Sequence, residues 1–191
     1  MKDERVIASR LIKSSANASY SGDKKELIQA VHDALYASKI CSYAQGMSLI
    51  RAGSDEWKWD VNLREMARIW KGGCIIRARF LDSIMRAFER QPDLPNLLLD
   101  AEFMAWLLRF EGAWRKLIAT VVQMGIPVPA MSASLSYFDS YRSAQLPQNL
   151  TQAQRDFFGA HTYQRADRPS AGFVHTDWLG LLRLPKKGTF G

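Results

Sequence analysis

Residues 23–51 read DKKELIQAVHDALYASKICSYAQGMSLIR. Leu27, Val31, Ala34, Leu35, Ser38, Cys41 and Leu49 recur along this stretch largely at steps of three and four. That is the spacing of a helix that buries one stripe. Asp23 is a good N-cap, and Glu26 three residues later completes a capping-box-like start. The pattern predicts a helix running to about Arg51 with Gly53 as its stop. A helix of that length is the central strut of its domain.

The same period extends on the C-terminal side. Asp60 or Asn62 caps a helix with Leu63, Met66, Ala67 and Trp70 on one face, ended or kinked by Gly72-Gly73. A helix from Cys74 to Arg90 then aligns Ile76, Phe80, Leu81, Ile84 and Phe88, with Arg77, Arg79, Arg86 and Arg90 on the other positions. Pro92 and Pro95 break it. Asp100 caps the next helix, in which Phe103, Leu107, Phe110, Trp114, Leu117, Ile118, Val121 and Val122 face a core, and Gly125 closes it ahead of Pro127 and Pro129. Residues 130–143 place Leu135, Phe138 and Tyr141 at helical spacing despite their serines, and Asn149 or Thr151 opens a short helix that ends at Gly159. Beyond His161 the prolines and glycines predict an extended tail that leans on other structure. The expected class is all-α: a multi-helix domain with a long central helix and an extended C-terminal tail.

Composition narrows the function. The 191 residues are 47% hydrophobic and 24% charged, those of a globular chain that needs neither disulfides nor metal to fold. No run of about 18 apolar residues occurs, so no membrane span is expected. The start, Met1-Lys2-Asp3-Glu4-Arg5, is too charged to lead into a signal-peptide core. The net charge of +7 favours anionic partners, yet no run of five basic residues occurs and the cations are scattered among acids. A solvated surface explains that distribution better than a nucleic-acid face does. Trp57, Trp59, Trp70 and Trp106 alternate with basic residues, and core packing is preferred over base stacking for them. Cys41 and Cys74 are far apart and embedded in apolar sequence, which reads as reduced core thiols of a cytoplasmic protein.

No dinucleotide fingerprint, phosphate loop, zinc signature or nucleophile elbow is present. His32, His161 and His175 are too separated to suggest a metal cage, so no metal is expected. The informative segment is residues 152–163, QAQRDFFGAHTY. Arg155 offers a planar fork of donors suited to phosphate or carboxylate, and His161 follows the helix-ending Gly159, where its ring can point into a cleft. The competing reading pairs Arg155 locally with Asp156 or Asp139.

The runs ALYASKI (34–40), SYAQG (42–46), GGCIIR (72–77), NLLL (96–99), GIPVP (125–129) and the 152–163 segment resemble the C-terminal helical domain of 6-phosphogluconate dehydrogenase, the decarboxylating enzyme of the pentose phosphate pathway. Order and spacing agree from about Lys2 to Trp178, giving a helical domain over 1–178 and a divergent tail over 179–191. The resemblance implies a homodimer, or assembly with a complementing dehydrogenase subunit, with NADP bound by an N-terminal Rossmann domain that this sequence lacks. The catalytic lysine and glutamate of the K-x-V-H-N-G-I-E-Y type motif, and an upstream lysine and arginine that help bind phosphate, have no counterpart here. It implies further that Arg155 and His161 contact 6-phosphogluconate across the subunit boundary. No catalytic or cofactor-binding residue is expected in this chain, which alone should not turn over. Nucleic-acid and membrane partners are not expected. The alternative is a non-catalytic helical module that only self-associates.

Overall fold

The computed structural model describes residues 1–16 and 19–182. Their order is α1 (Lys2–Leu11), α2 (Lys24–Trp57), α3 (Leu63–Ile69), α4 (Phe80–Arg90), α5 (Ala101–Gln123), α6 (Pro129–Tyr141), α7 (Asn149–Gly159), β1 (Tyr163–Gln164), β2 (Phe173–Val174) and α8 (Trp178–Leu182). The class is all-α as predicted, and the two strands form one antiparallel pair, Tyr163 opposite Val174. The chain divides into two units, 1–139 and 140–191. No described helix is long and apolar enough to cross a membrane. Of the tail expected over 179–191, α8 covers the first residues, and residues 183–191 lie outside those described.

The first unit is built on α2 and α5. The Asp23 carboxylate accepts from the Lys25 N–H at 2.7 Å and starts α2 where the sequence places it. The helix does not stop at Gly53. It runs on to Trp57 and turns out at Lys58, whose φ is 57°. Gly53 instead makes room for rings, since a Cβ there would stand 3.1 Å from the Trp57 ring and 3.2 Å from the Trp59 ring. The bare backbone lets both indoles lie down on the helix.

The buried stripe of α2 keeps Ala34, Ser38 and Cys41 of the expected set but is shifted around the helix. Ala30, Ala34, Ala37, Cys41 and Ala44 face inward at steps of four and three, and Ile40 and Met47 are buried beside them. Val31, Leu35 and Leu49 face out, with Leu35 57% and Leu49 74% exposed. The small edge faces the core because α5 delivers large residues to it: Phe103, Leu107, Trp114, Leu117 and Val121 are buried. Small against large fills space without voids.

Asn62 opens α3 by accepting from Glu65 N–H at 3.1 Å, so it, and not Asp60, is the cap. Residues 74–79 are not helical. Gly73 turns at φ +64° and α4 begins only at Phe80. Ile75 is fully exposed in that connection, while Phe80, Leu81, Ile84 and Phe88 are buried. Cys74 therefore sits half-buried outside the core. Cys41 is the core thiol, and burial pushes its pKa up to about 12, which keeps it an unreactive neutral thiol.

Asp100 starts α5 with hydrogen bonds from the N–H groups of Glu102 (3.0 Å) and Phe103 (3.3 Å). At the far end Ile126 N–H reaches Val121 C=O and Gly125 N–H reaches Val122 C=O, with Gly125 at φ +69°. This pair of bonds is a Schellman closure, and only glycine enters it without a Cβ penalty. The Arg115 guanidinium joins α5 to α6 through Asp139 and also binds Glu111. Trp70 and Trp106 pack half-buried against the core as expected. Trp57 and Trp59 do not: they stack 4.8 Å apart and are 63% and 59% exposed.

Candidate anion-binding segment

The segment singled out in the sequence lies in the second unit. Its helix, α7, reverses the usual polarity of an amphipathic helix. Asp156 is completely buried, while its neighbours Phe157 and Phe158 are 51% and 82% exposed. A buried carboxylate demands hydrogen-bond donors. Here it finds four, all from the chain that follows. Oδ1 accepts from Thr162 N–H at 2.9 Å and from His175 Nδ1 at 3.0 Å. Oδ2 accepts from Thr176 N–H at 3.0 Å and from Trp178 Nε1 at 2.9 Å. An ionised carboxylate only accepts, so His175 carries a proton on Nδ1. Burial works to raise the Asp156 pKa. The bonds from Thr176, His175, Trp178 and Thr162 outweigh it and hold the group well below the usual carboxylate range.

The tail beyond α7 is thus ordered around one side chain. Ala160 ends the helix at φ +50° and Thr162 follows at φ +60°. A left-handed β-branched residue is unfavourable by about 1–3 kcal/mol and persists only where its surroundings enforce it. The enforcement is visible: Asp156 takes the Thr162 N–H, and Gln152 Nε2 donates to the Thr162 C=O at 2.6 Å. The hairpin of β1 and β2 follows, with the Tyr163 and Thr176 hydroxyls 2.5 Å apart.

Arg155 and His161 are both exposed on this segment. The local pairing of Arg155 with Asp156 does not form, since Asp156 is turned inward; Asp139, the other partner considered, belongs to the first unit and binds Arg115 there. Arg155 Nη1 donates instead to Gln152 Oε1 at 3.0 Å. One amide therefore ties Arg155 to the backbone that carries His161. The two partners also fix the amide's orientation, since a guanidinium only donates and a carbonyl only accepts. The His161 ring folds back over the bare Gly159, where a Cβ would be 3.0 Å from Nε2.

Sequence reading found Arg155 and His161 and missed the groups that hold them: Gln152, Asp156, His175, Thr176 and Trp178. The available signal was an aspartate adjoining two phenylalanines in a short helix, followed by a donor-rich tail. A groove of about 770 Å³ lies in the other unit, lined by Arg51, Asp55, Lys58, Asp60, Arg64 and Glu89 among others, and mixes both signs of charge without a convergent set. No group of three metal-ligating side chains occurs among the described residues. The sheet formed by the described residues is the two-stranded pair β1–β2.

Comparison with known proteins agrees on one family. The model of the 6-phosphogluconate dehydrogenase C-terminal domain matches residues 1–178. The decarboxylating 6-phosphogluconate dehydrogenase of Synechocystis sp. is 59% identical over 179 residues, covering 94% of this chain and 37% of the relative. The chloroplastic decarboxylating enzyme 2 of Oryza sativa is 55% identical over 188 residues, covering 96% and 37%. Among solved structures, that of Plasmodium falciparum 6-phosphogluconate dehydrogenase, studied in apo form and with its cofactor NADP+ and its substrate 6-phosphogluconate, superposes with a TM-score of 0.83 at 43% identity. It covers 93% of this chain, which spans 38% of that one. The chain spans little more than a third of the relatives it matches. It belongs to the 6-phosphogluconate dehydrogenase family and corresponds to the family's C-terminal domain.

Proposed function

We propose that this chain serves as the C-terminal portion of an NADP-dependent, decarboxylating 6-phosphogluconate dehydrogenase of the pentose phosphate pathway. In that role it supplies subunit contacts and lends Arg155 and His161 to the phosphate end of 6-phosphogluconate in a site completed by a partner subunit. The observation that carries this reading is the exposure of Arg155 and His161 on a backbone clamped by Gln152 and Asp156. Arg155 brings a fixed positive fork and His161 a second donor, a combination suited to a phosphate dianion. The exposed Phe157 and Phe158 beside them fit a face that meets another protein surface. Hydride transfer needs a nicotinamide and a base held against the reacting carbon, and both are assigned to the complementing portion.

Calorimetric titration of the chain with 6-phosphogluconate tests the reading. Weak, salt-sensitive binding is expected, and Arg155→Ala should reduce it at least about ten-fold, the scale of a charge-assisted pair. Binding indifferent to Arg155→Ala, or cofactor reduction at an enzyme-like rate by the chain alone, would overturn it. The second reading, a module that only self-associates, is favoured by the exposed apolar edge of α2. It predicts association with no uptake of 6-phosphogluconate.

A further inference from the structure

Gln152, Arg155 and Asp156 stand at i, i+3 and i+4 of α7, so they share one face of that helix. Two of them grip the same residue. Asp156 holds the Thr162 N–H at 2.9 Å and Gln152 holds the Thr162 C=O at 2.6 Å. The Gln152 amide also accepts from Arg155 Nη1 at 3.0 Å. Thr162 adopts φ +60°, a conformation that a free threonine avoids, and it directly follows His161.

We propose that Gln152 and Asp156 are positioning residues for an anion grip: Gln152 orients the Arg155 guanidinium, and the two together lock Thr162 left-handed and so fix where His161 stands. This rests on the reading of Arg155 and His161 as phosphate contacts. Neither positioning residue need touch the ligand. Their effect is to order the arginine and the histidine backbone before the anion arrives, so that less freedom is lost on binding. Gln152 suits this role because one amide offers an acceptor to the guanidinium and a donor to the carbonyl. A carboxylate at that position would serve the first partner and repel the second.

The test uses the full 191-residue chain, with inorganic phosphate and 6-phosphogluconate as probes. Affinity and the exchange rate of the residue 162 amide are measured by NMR. Gln152→Ala is expected to weaken both ligands about five-fold and to speed exchange at residue 162 by a similar factor. Adding Thr162→Gly to Gln152→Ala should restore slow exchange and part of the affinity, because glycine takes positive φ without a steric cost. A merely structural glutamine would lower the melting temperature, leave the affinity of the folded molecules unchanged and gain nothing from the glycine. That pattern, or wild-type affinity and exchange in Gln152→Ala, overturns the proposal while the phosphate reading stands. If instead Arg155→Ala and His161→Ala leave phosphate uptake unaltered, or the wild-type chain takes up none, the phosphate reading fails and the positioning role falls with it.

Discussion

At Asp156 both carboxylate oxygens are filled, each by one backbone N–H and one ring nitrogen. This makes the residue an acid sensor for the tail. Its folded pKa lies below the ordinary value near 4 for an unfolded aspartate. A depressed carboxylate stabilises the fold fully above the unfolded value and loses that contribution as pH falls toward the folded one. The hairpin and α8 should therefore loosen on acidification below about pH 4. Amide exchange at Thr162 and Thr176, followed from pH 7 downward, checks this. Asp156→Asn should loosen the same residues already at neutral pH, since its NH2 group confronts donors where an acceptor stood. Exchange that stays slow in both experiments would mean that the carboxylate does not hold the tail.

At the scale of elements, the pairing of α2 with α5 depends on small residues. Ala37 has no exposed surface. Ala37→Leu adds three carbons where the core has no room and should cost about 1–3 kcal/mol, read from urea unfolding. Leu35→Ala, on the outer edge of the same helix, should stay within about 0.5 kcal/mol of wild type when both are unfolded at concentrations where they are monomeric. The contrast follows from a question that periodicity left open. Helix starts were legible because Asp23, Asn62 and Asp100 announce them chemically, and Gly125 announced a stop that the structure keeps. Which apolar edge of α2 turns inward was not legible, because it depends on the size of residues some seventy positions away on α5. Gly53 and the start of α4 failed for a related reason. A glycine can end a helix or admit a ring, and only the neighbouring indoles decide. In the candidate site the outward pair, Arg155 and His161, is legible from its own chemistry and spacing, and the family resemblance adds the substrate it implies. Asp156 was taken for a surface partner, because its four donors come from up to 22 residues further along the chain.

For the whole molecule, Ile28, Leu35 and Leu49 lie at multiples of seven residues and form one exposed apolar edge, 69%, 57% and 74% accessible, along α2. With about 1.5 Å of rise per residue that edge runs about 30 Å. An exposed apolar strip of this length is the kind of surface that association covers. The chain should self-associate at micromolar concentration, and Leu35→Glu combined with Leu49→Glu should shift it toward monomer in sedimentation velocity. A wild-type chain that sediments as a monomer and binds no apolar dye would refute this. Whatever covers that strip, the C-terminal region answers to a different constraint. Residues 162, 175, 176 and 178 are all moored to the two oxygens of one side chain. Removing that one carboxylate strips four attachments at once, and leaves the region to the Gln152 bond and the short β1–β2 pair.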